Sequence, residues 1–131
     1  MLRKIFLSTV LVLGLGTTAL IAKSNTDDLV KLASKQEMLS QNIIKAYKKQ
    51  DKGSSALAVI KRLESGQIKL KSDIQNPEID YLLVYLNNCL DNLKIVVQKP
   101  YSLENARRIA DLSASIAEGS DYIAKSLKKI S

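Results

Sequence analysis

The chain has 131 residues, with 20 lysines and arginines against 13 aspartates and glutamates, so its formal net charge is +7 at pH 7. This length allows one domain with a modest core. The lack of histidine excludes histidine metal sites and histidine general bases, and the single cysteine excludes an intrachain disulfide and haem attached through two cysteines.

The N-terminal segment has the layout of a secretory signal peptide. Arg3 and Lys4 form a basic head, residues 5–15 are largely apolar, and small residues come after them. Cleavage is predicted after Ala22. Cleavage after Ala19 is the alternative, because the third residue before that cut is smaller than the third residue before a cut after Ala22.

Two interpretations of this leader follow from its length. Either residues 1–22 are a cleaved signal peptide, or the apolar stretch in residues 5–22 stays in place as an inner-membrane anchor, since about 18 apolar residues are the lower limit for crossing a bilayer. In both cases residues 23–131 form one domain exported to the periplasm of a bacterium. Without the leader, 18 basic and 13 acidic residues remain, a net charge of +5.

The exported part is predicted to be all-α, because apolar residues recur at steps of three and four and no segment sustains a period of two. Asn76 and Ser102 are predicted N-caps, Pro77 fits the first helical position, and Pro100 ends a helix. Helices of about 20–28 residues with short connections favour an antiparallel up-down-up-down four-helix bundle. The predicted helices cover residues 25–50, 54–74, 77–99 and 103–130.

Polar side chains interrupt the apolar stripe of the first predicted helix. Gln36 falls within the stripe, and Ser40 lies one turn further on the same side. A buried carboxamide without a partner costs about 1–3 kcal/mol, so Gln36 needs a hydrogen bond from some group. The identity of that group is the functional question that the sequence raises.

Counting from the helix ends places other polar residues at the level of Gln36. Gln67 of the second helix, Asn87 or Asn88 of the third, and Ser120 of the fourth share this level in an antiparallel arrangement. Gln67 and Ser120 also occupy stripe positions in their own helices. The sequence therefore predicts a polar layer in an otherwise apolar core.

Two interpretations of this layer remain open. In the structural one, the amides and hydroxyls bond one another and fix the register of the helices, as single buried polar residues do in coiled coils. In the functional one, the layer lines a pocket between helices for a small polar ligand, narrowed by Ala117 and Gly119.

The segment ASKQEMLSQNIIKAY, residues 33–47, resembles the first-helix motif of the PilJ-type sensor domain. This is the N-terminal domain of type IV pili methyl-accepting chemotaxis transducers, related to the NarX-like periplasmic domain of nitrate/nitrite sensor kinases. The family motif reads approximately Ala-Gly-Arg-Gln-Arg-Met-Leu-Ser-Gln-Arg. The matching residues are Ala33, Gln36, Met38, Leu39, Ser40 and Gln41.

The departures from the motif limit what the resemblance implies. Ser34 replaces the glycine, and Lys35, Glu37 and Asn42 stand where the family has arginines. In the nitrate sensors an arginine of this motif holds the anion, and the corresponding residue here is Glu37, whose carboxylate would repel nitrate. The resemblance thus implies a ligand-sensing bundle without implying nitrate. The candidate ligand-binding residues are Lys35, Gln36, Ser40, Gln67 and Ser120.

The basic residues are spread along the sequence. Lys48, Lys49 and Lys52 follow one predicted helix, Arg107 and Arg108 lie near the start of another, and three lysines close the chain. This dispersal predicts a solvated surface, and it does not predict a nucleic-acid-binding stripe.

The acidic residues and the cysteine give no sign of catalysis. No nucleophile–base pair and no metal-binding spacing occurs in the sequence, so neither an enzyme nor a cofactor is expected. Cys89 is predicted to be a small buried side chain, and a redox-active or dimer-forming thiol is the alternative.

Together these observations predict an exported, sensor-like binding module without its own output domain, which binds a small polar ligand or a partner protein. The alternative is a structural or assembly helical bundle with no small ligand. Membrane contact is expected only through an uncleaved leader, and formation of a homodimer is left open.

Overall fold

The computed structural model describes residues 21–22 and 25–129, and this part of the chain is mostly helical, as predicted. Residues 1–20 of the predicted leader, the cleavage-site residue Lys23 and the last stripe residue Ile130 lie outside the described residues. The elements are β1 (Ile21–Ala22), α1 (Thr26–Gln41), α2 (Ile43–Tyr47), α3 (Ser54–Asp73), β2 (Ile74–Gln75), α4 (Pro77–Val96) and α5 (Leu103–Lys128).

Two of the helices begin at the predicted capping residues. The side chain of Asn76 accepts a hydrogen bond from the backbone N–H of Ile79 at 3.0 Å, and Pro77 occupies the first position of α4. The hydroxyl of Ser102 accepts from the backbone N–H of Asn105 at 3.0 Å at the start of α5. Each cap satisfies a backbone donor that has no partner within its helix.

The first predicted helix is interrupted, whereas the sequence predicted one continuous helix to Gln50. The hydroxyl of Ser40 donates to the carbonyl of Glu37 at 2.7 Å, and the backbone N–H of Asn42 donates to the carbonyl of Leu39 at 3.0 Å. Both bonds span three residues, which is tighter than the α-helical pattern, and serine bonds of this kind bend helices. The turn at this point separates α1 from α2.

The two short strands were not predicted. They pair antiparallel, with Ile21 opposite Gln75 and Ala22 opposite Ile74. The extended backbone of Asn76, directly after β2, follows from Pro77, because a proline disfavours the helical conformation of the residue before it. A two-residue strand is too short to leave a period-two signal in the sequence.

One contiguous apolar core joins the helices. Helix α1 packs against α3 and α5, and α4 packs against the same two helices. An ion pair between Lys94 and Glu64 links α4 to α3 at the surface. None of the described helices is long and apolar enough to cross a bilayer. The largest fully buried side chains are Leu29, Ile43, Ile60, Leu63, Leu70, Ile74, Ile79, Leu82, Leu83, Leu86, Leu90 and Leu93.

Contacts between the connecting segments define one end of the molecule. The hydroxyl of Tyr47 donates to the carbonyl of Pro100 at 2.9 Å, and its ring stacks on Tyr101 with centroids 5.5 Å apart. Gly53 has a φ of +85°, and a Cβ there would lie 2.6 Å from the carbonyl oxygen of Val97, so only glycine fits. The β1–β2 pair lies at the other end of α3, whose 20 residues span about 30 Å.

Cys89 is buried in α4, with 4% of its surface exposed, as predicted for a packing residue. Burial raises the pKa of its thiol, which lowers the fraction of reactive thiolate at neutral pH. We expect Cys89 in the folded chain to react with a thiol-specific reagent at least about tenfold more slowly than in the denatured chain. Equal rates in the two states, followed spectroscopically at pH 8, would contradict this burial.

Candidate functional site

Gln36 of α1 makes a close contact with α3. Its side chain is 1% exposed, and its Nε2 donates to the carbonyl of Leu63 at 2.8 Å. A Cβ on Gly66 would lie 2.2 Å from the Gln36 Oε1, closer than real Cβ contacts allow. Glycine is unfavourable inside a helix by about 1 kcal/mol relative to alanine, and here it provides the space that the carboxamide occupies.

A groove of about 360 Å³ lies beside this carboxamide, between α1 and α3. Four of its lining residues belong to each helix. The groove, named here the Gln36 groove, is lined by Leu32, Lys35, Gln36, Leu39, Arg62, Ser65, Gly66 and Lys69.

The charges around the Gln36 groove have one sign. Lys35, Arg62 and Lys69 are all in its lining, and no acidic residue among the described residues belongs to that lining. Lys69 forms an ion pair with Asp73 at 2.6 Å, which offsets part of its charge. Lys35 and Arg62 form no ion pair with another described residue, so the groove attracts anions.

The candidate residues predicted from the sequence separate into two groups. Gln36, Ser40, Gln67 and Ser120 are all buried, at 2% exposure or less, whereas Lys35 is exposed. Only Lys35 and Gln36 line the groove. The other three lie in the core, where the hydroxyl of Ser40 bonds within its own helix.

The predicted polar layer is not a closed hydrogen-bond network. Neither the Nε2 nor the Oε1 of Gln67 has a hydrogen-bond partner among the described residues, and Gln36 bonds a backbone carbonyl. Asn87 and Asn88, which the sequence placed at the same level, are exposed, so α4 contributes no buried amide there. Leaving a buried amide unpaired costs about 1–3 kcal/mol, so Gln67 is a locally unfavourable residue in this core.

The predicted narrowing of a central pocket by Ala117 and Gly119 does not create space for a ligand. Leu86 fills this position, because a Cβ on Gly119 would lie 2.8 Å from a Leu86 methyl carbon. The open space lies instead on the outer side of the α1–α3 contact. The reason is that the small residue facing Gln36 is Gly66, not a residue of α5.

Sequence reasoning missed the α3 wall of the groove, formed by Arg62, Ser65, Gly66 and Lys69. One signal was present, since an isolated glycine inside a helical pattern costs about 1 kcal/mol relative to alanine, a cost that close packing at Gly66 explains. Arg62 and Lys69 are also seven residues apart, which places them on one face of a helix. Neither signal says which other helix this face meets.

Comparison of the chain with protein-family models, with curated proteins and with solved structures found no match. The resemblance of residues 33–47 to the PilJ-type motif therefore stays a prediction. No cluster of three or more acidic or cysteine side chains that could hold a metal ion occurs in the part of the chain that the structure describes.

The contact between Gln36 and Gly66 predicts that the effect of Gly66→Ala on the free energy of unfolding changes sign when Gln36 is replaced by alanine. Gly66→Ala should lower the free energy of unfolding by about 1 kcal/mol, because the new methyl group displaces the carboxamide from its bond to Leu63. In a Gln36→Ala background the same change should raise it by up to about 1 kcal/mol, because alanine is the better helix former. Urea denaturation measures both, and an equal effect in the two backgrounds would contradict the contact.

Proposed function

We propose that the chain is an exported binding module, similar in kind to the sensor domain that it resembles, and that the Gln36 groove is its ligand site. The ligand class proposed is a small molecule with an anionic group and an apolar body. One observation carries the proposal. Three cations line a groove that has two leucines on its α1 wall, and the lining contains no described acidic residue.

Each wall of the groove has a distinct part in this proposal. The planar guanidinium of Arg62 would donate two parallel hydrogen bonds to a carboxylate or phosphate, and the ammonium of Lys35 would add a point charge from the opposite wall. Leu32 and Leu39 would contact the apolar body. Gln36, held by Leu63, would offer its carboxamide from the floor.

Glu37 does not oppose an anion in this groove. It is absent from the groove lining, and its carboxylate interacts electrostatically with Lys125 of α5. The repulsion that argues against nitrate at the family's arginine position therefore applies to another face of α1. An anionic ligand on the α3 side of the helix is compatible with Glu37.

We further propose that the long helices form an antiparallel up-down-up-down bundle. The connection from α2 to α3 meets the connection from α4 to α5, through the bond between Tyr47 and Pro100. The connection from α3 to α4 contains β2, at the other end of α3. Alternating ends for successive connections are what this topology requires.

Export through the N-terminal leader is also proposed. The basic head and the apolar segment support it, and the β1–β2 pair bears on the cleavage position. Cleavage after Ala22 would remove β1 from the folded chain, whereas cleavage after Ala19 would retain it. The pairing of Ile21–Ala22 with Ile74–Gln75 therefore favours the second position.

A structural or assembly protein remains the second candidate function, and one observation favours it. Tyr81 and Val84 are 64% and 50% exposed and lie three residues apart on α4. Side chains at this spacing share a helix face, and paired exposed apolar groups are found at protein–protein contacts. A partner protein seated on α4 would leave the Gln36 groove open.

The ligand proposal can be tested by a thermal-shift screen of small carboxylates, phosphates and sulfonates against amines and neutral analogues of similar size. We expect stabilisation by anionic compounds. Arg62→Gln should weaken their binding by about tenfold or more, because a charge-assisted hydrogen bond is lost. Gln36→Leu should leave a stable fold and abolish the shift.

Lys61→Gln is the matched control, because Lys61 neighbours Arg62 in α3, is exposed, and does not line the groove. Its effect on binding should stay within about twofold, as for other exposed charges outside a site. A ligand that binds equally well to wild type, Arg62→Gln and Gln36→Leu would rule out the groove. An absence of hits together with a co-purifying protein that requires Tyr81 would favour the assembly function.

The export proposal predicts the mature N-terminus. Mass spectrometry of the chain recovered from the periplasmic fraction of an expressing bacterium should give a polypeptide that begins at Leu20, because this form keeps β1. A start at Lys23 would show that β1 is dispensable for the fold. Recovery of the intact chain from Met1, in the membrane fraction alone, would support the uncleaved anchor.

A further inference from the structure

The net positive charge of the described chain is concentrated at one end. This end, named here the basic tip, consists of residues 45–52 and 98–108. It contains seven basic and two acidic residues, a net charge of +5, while the rest of residues 25–129 contains ten basic and eleven acidic residues, a net charge of −1. The basic residues of the tip are Lys45, Lys48, Lys49, Lys52, Lys99, Arg107 and Arg108.

The fold brings these two distant segments together through uncharged contacts. Tyr47 bonds the carbonyl of Pro100 and stacks on Tyr101, and Gly53 lies against the backbone of Val97. These contacts order the backbone while the lysine side chains remain exposed. Basic residues that are far apart along the chain therefore lie at one end of the fold, and their side chains are exposed, as a solvated surface requires.

The two acidic residues of the tip are already subtracted in its net charge of +5, and each also has a local structural role. The carboxylate of Asp51 accepts hydrogen bonds from the backbone N–H and the hydroxyl of Ser55, which lowers its pKa and ties it to the start of α3. Glu104 lies in the first turn of α5, where an acidic side chain interacts favourably with the helix dipole. Both carboxylates thus have a structural role of their own.

Apolar side chains stand exposed among these cations. Leu103 is 69% exposed and Tyr101 is 41% exposed. Beside them is a groove of about 300 Å³ whose lining includes Tyr101, Lys52 and Lys99. Ammonium groups at the rim with a tyrosine and a leucine between them are the composition found at membrane–water interfaces, where cations meet lipid phosphates and the apolar groups enter the headgroup layer.

We propose that the basic tip docks on a bilayer surface that contains anionic phospholipids. The cations of the tip contact lipid phosphates, the groove beside Tyr101 accepts a headgroup, and Leu103 enters the boundary of the acyl chains. Charge complementarity selects an anionic partner, and the exposed leucine and tyrosine of the same tip select a surface with an apolar interior. This contact does not involve the leader, so it adds a membrane-binding element to the exported domain.

Docking at the tip fixes the orientation of the domain. Helices α3 and α4 would point away from the bilayer, and β1 would lie about 30 Å from it. Gln36 lies nine residues before Lys45, the first residue of the tip, so Gln36 would be held about 14 Å from the tip, clear of the surface. Ligand binding and membrane docking are therefore independent, and either can fail without the other.

The test is sedimentation of the chain with lipid vesicles. The chain that begins at Leu20 is used, because every residue of the buried core lies between Leu29 and Leu127. It should bind vesicles of phosphatidylcholine and phosphatidylglycerol at low salt, dissociate as salt is raised, and fail to bind vesicles of phosphatidylcholine alone.

Charge reversal at the tip is compared with the same charge reversal elsewhere. The triple variant Lys48→Glu, Lys49→Glu, Lys99→Glu should bind anionic vesicles about 100-fold more weakly, at roughly fivefold for each cation removed from the surface. The control variant is Lys31→Glu, Lys71→Glu, Lys129→Glu, which has the same net charge and alters exposed lysines outside the tip. It should change binding by less than about fivefold. Equal losses in the two variants would overturn the proposal, as would failure of the unmodified chain to bind at low salt.

Insertion of Leu103 is tested separately with a matched apolar pair. Leu103→Asn should weaken vesicle binding about tenfold, because the buried area of a leucine is lost. Ile68→Asn is the control, since Ile68 is 71% exposed on α3, outside the tip, and should have no measurable effect. Unchanged binding by Leu103→Asn would overturn the assignment to a bilayer, because a soluble polyanion would then explain the charge dependence.

Discussion

The close contact between α1 and α3 at Gln36 depends on the missing side chain of residue 66. With Gly66 in place, the carboxamide of Gln36 reaches the carbonyl of Leu63, and a polar group is buried with a partner. The same contact sets the floor of the groove between the two helices. One glycine therefore has two consequences, since it allows a buried polar group at the helix interface and creates a concave surface next to three cations.

Burial alone does not distinguish the polar residues of this core. Gln36 and Gln67 are buried almost equally, yet Gln36 is hydrogen-bonded and borders open space, while Gln67 has no partner among the described residues. When one group of a buried amide is hydrogen-bonded within the protein and the amide borders a groove, its other group can bond a ligand. An amide in the core with no partner for either group instead reduces stability. The proposed function therefore depends on Gln36 and its groove, and the polar layer as a whole is not required.

The two surfaces proposed for function differ in how their charge is organised. In the Gln36 groove, a few cations converge on a concave surface, which suits a single small anion. At the basic tip, the cations spread around exposed Leu103 and Tyr101, which suits an extended anionic surface. Because the two surfaces are separated along the helix axis, the proposed docking on a bilayer would leave the Gln36 groove in solvent.

The amino-acid sequence by itself determined that the chain is mostly helical, the caps of α4 and α5, and the burial of most apolar stripe residues, because these depend on residues within three or four positions of one another. It also identified Gln36 as a polar residue in the core. Only the tertiary structure decided that Gln36 faces Gly66, that Leu86 fills the space beside Gly119, and that lysines more than 40 residues apart form one tip. These facts depend on which helix faces meet and at what height, and helical periodicity carries no information about either.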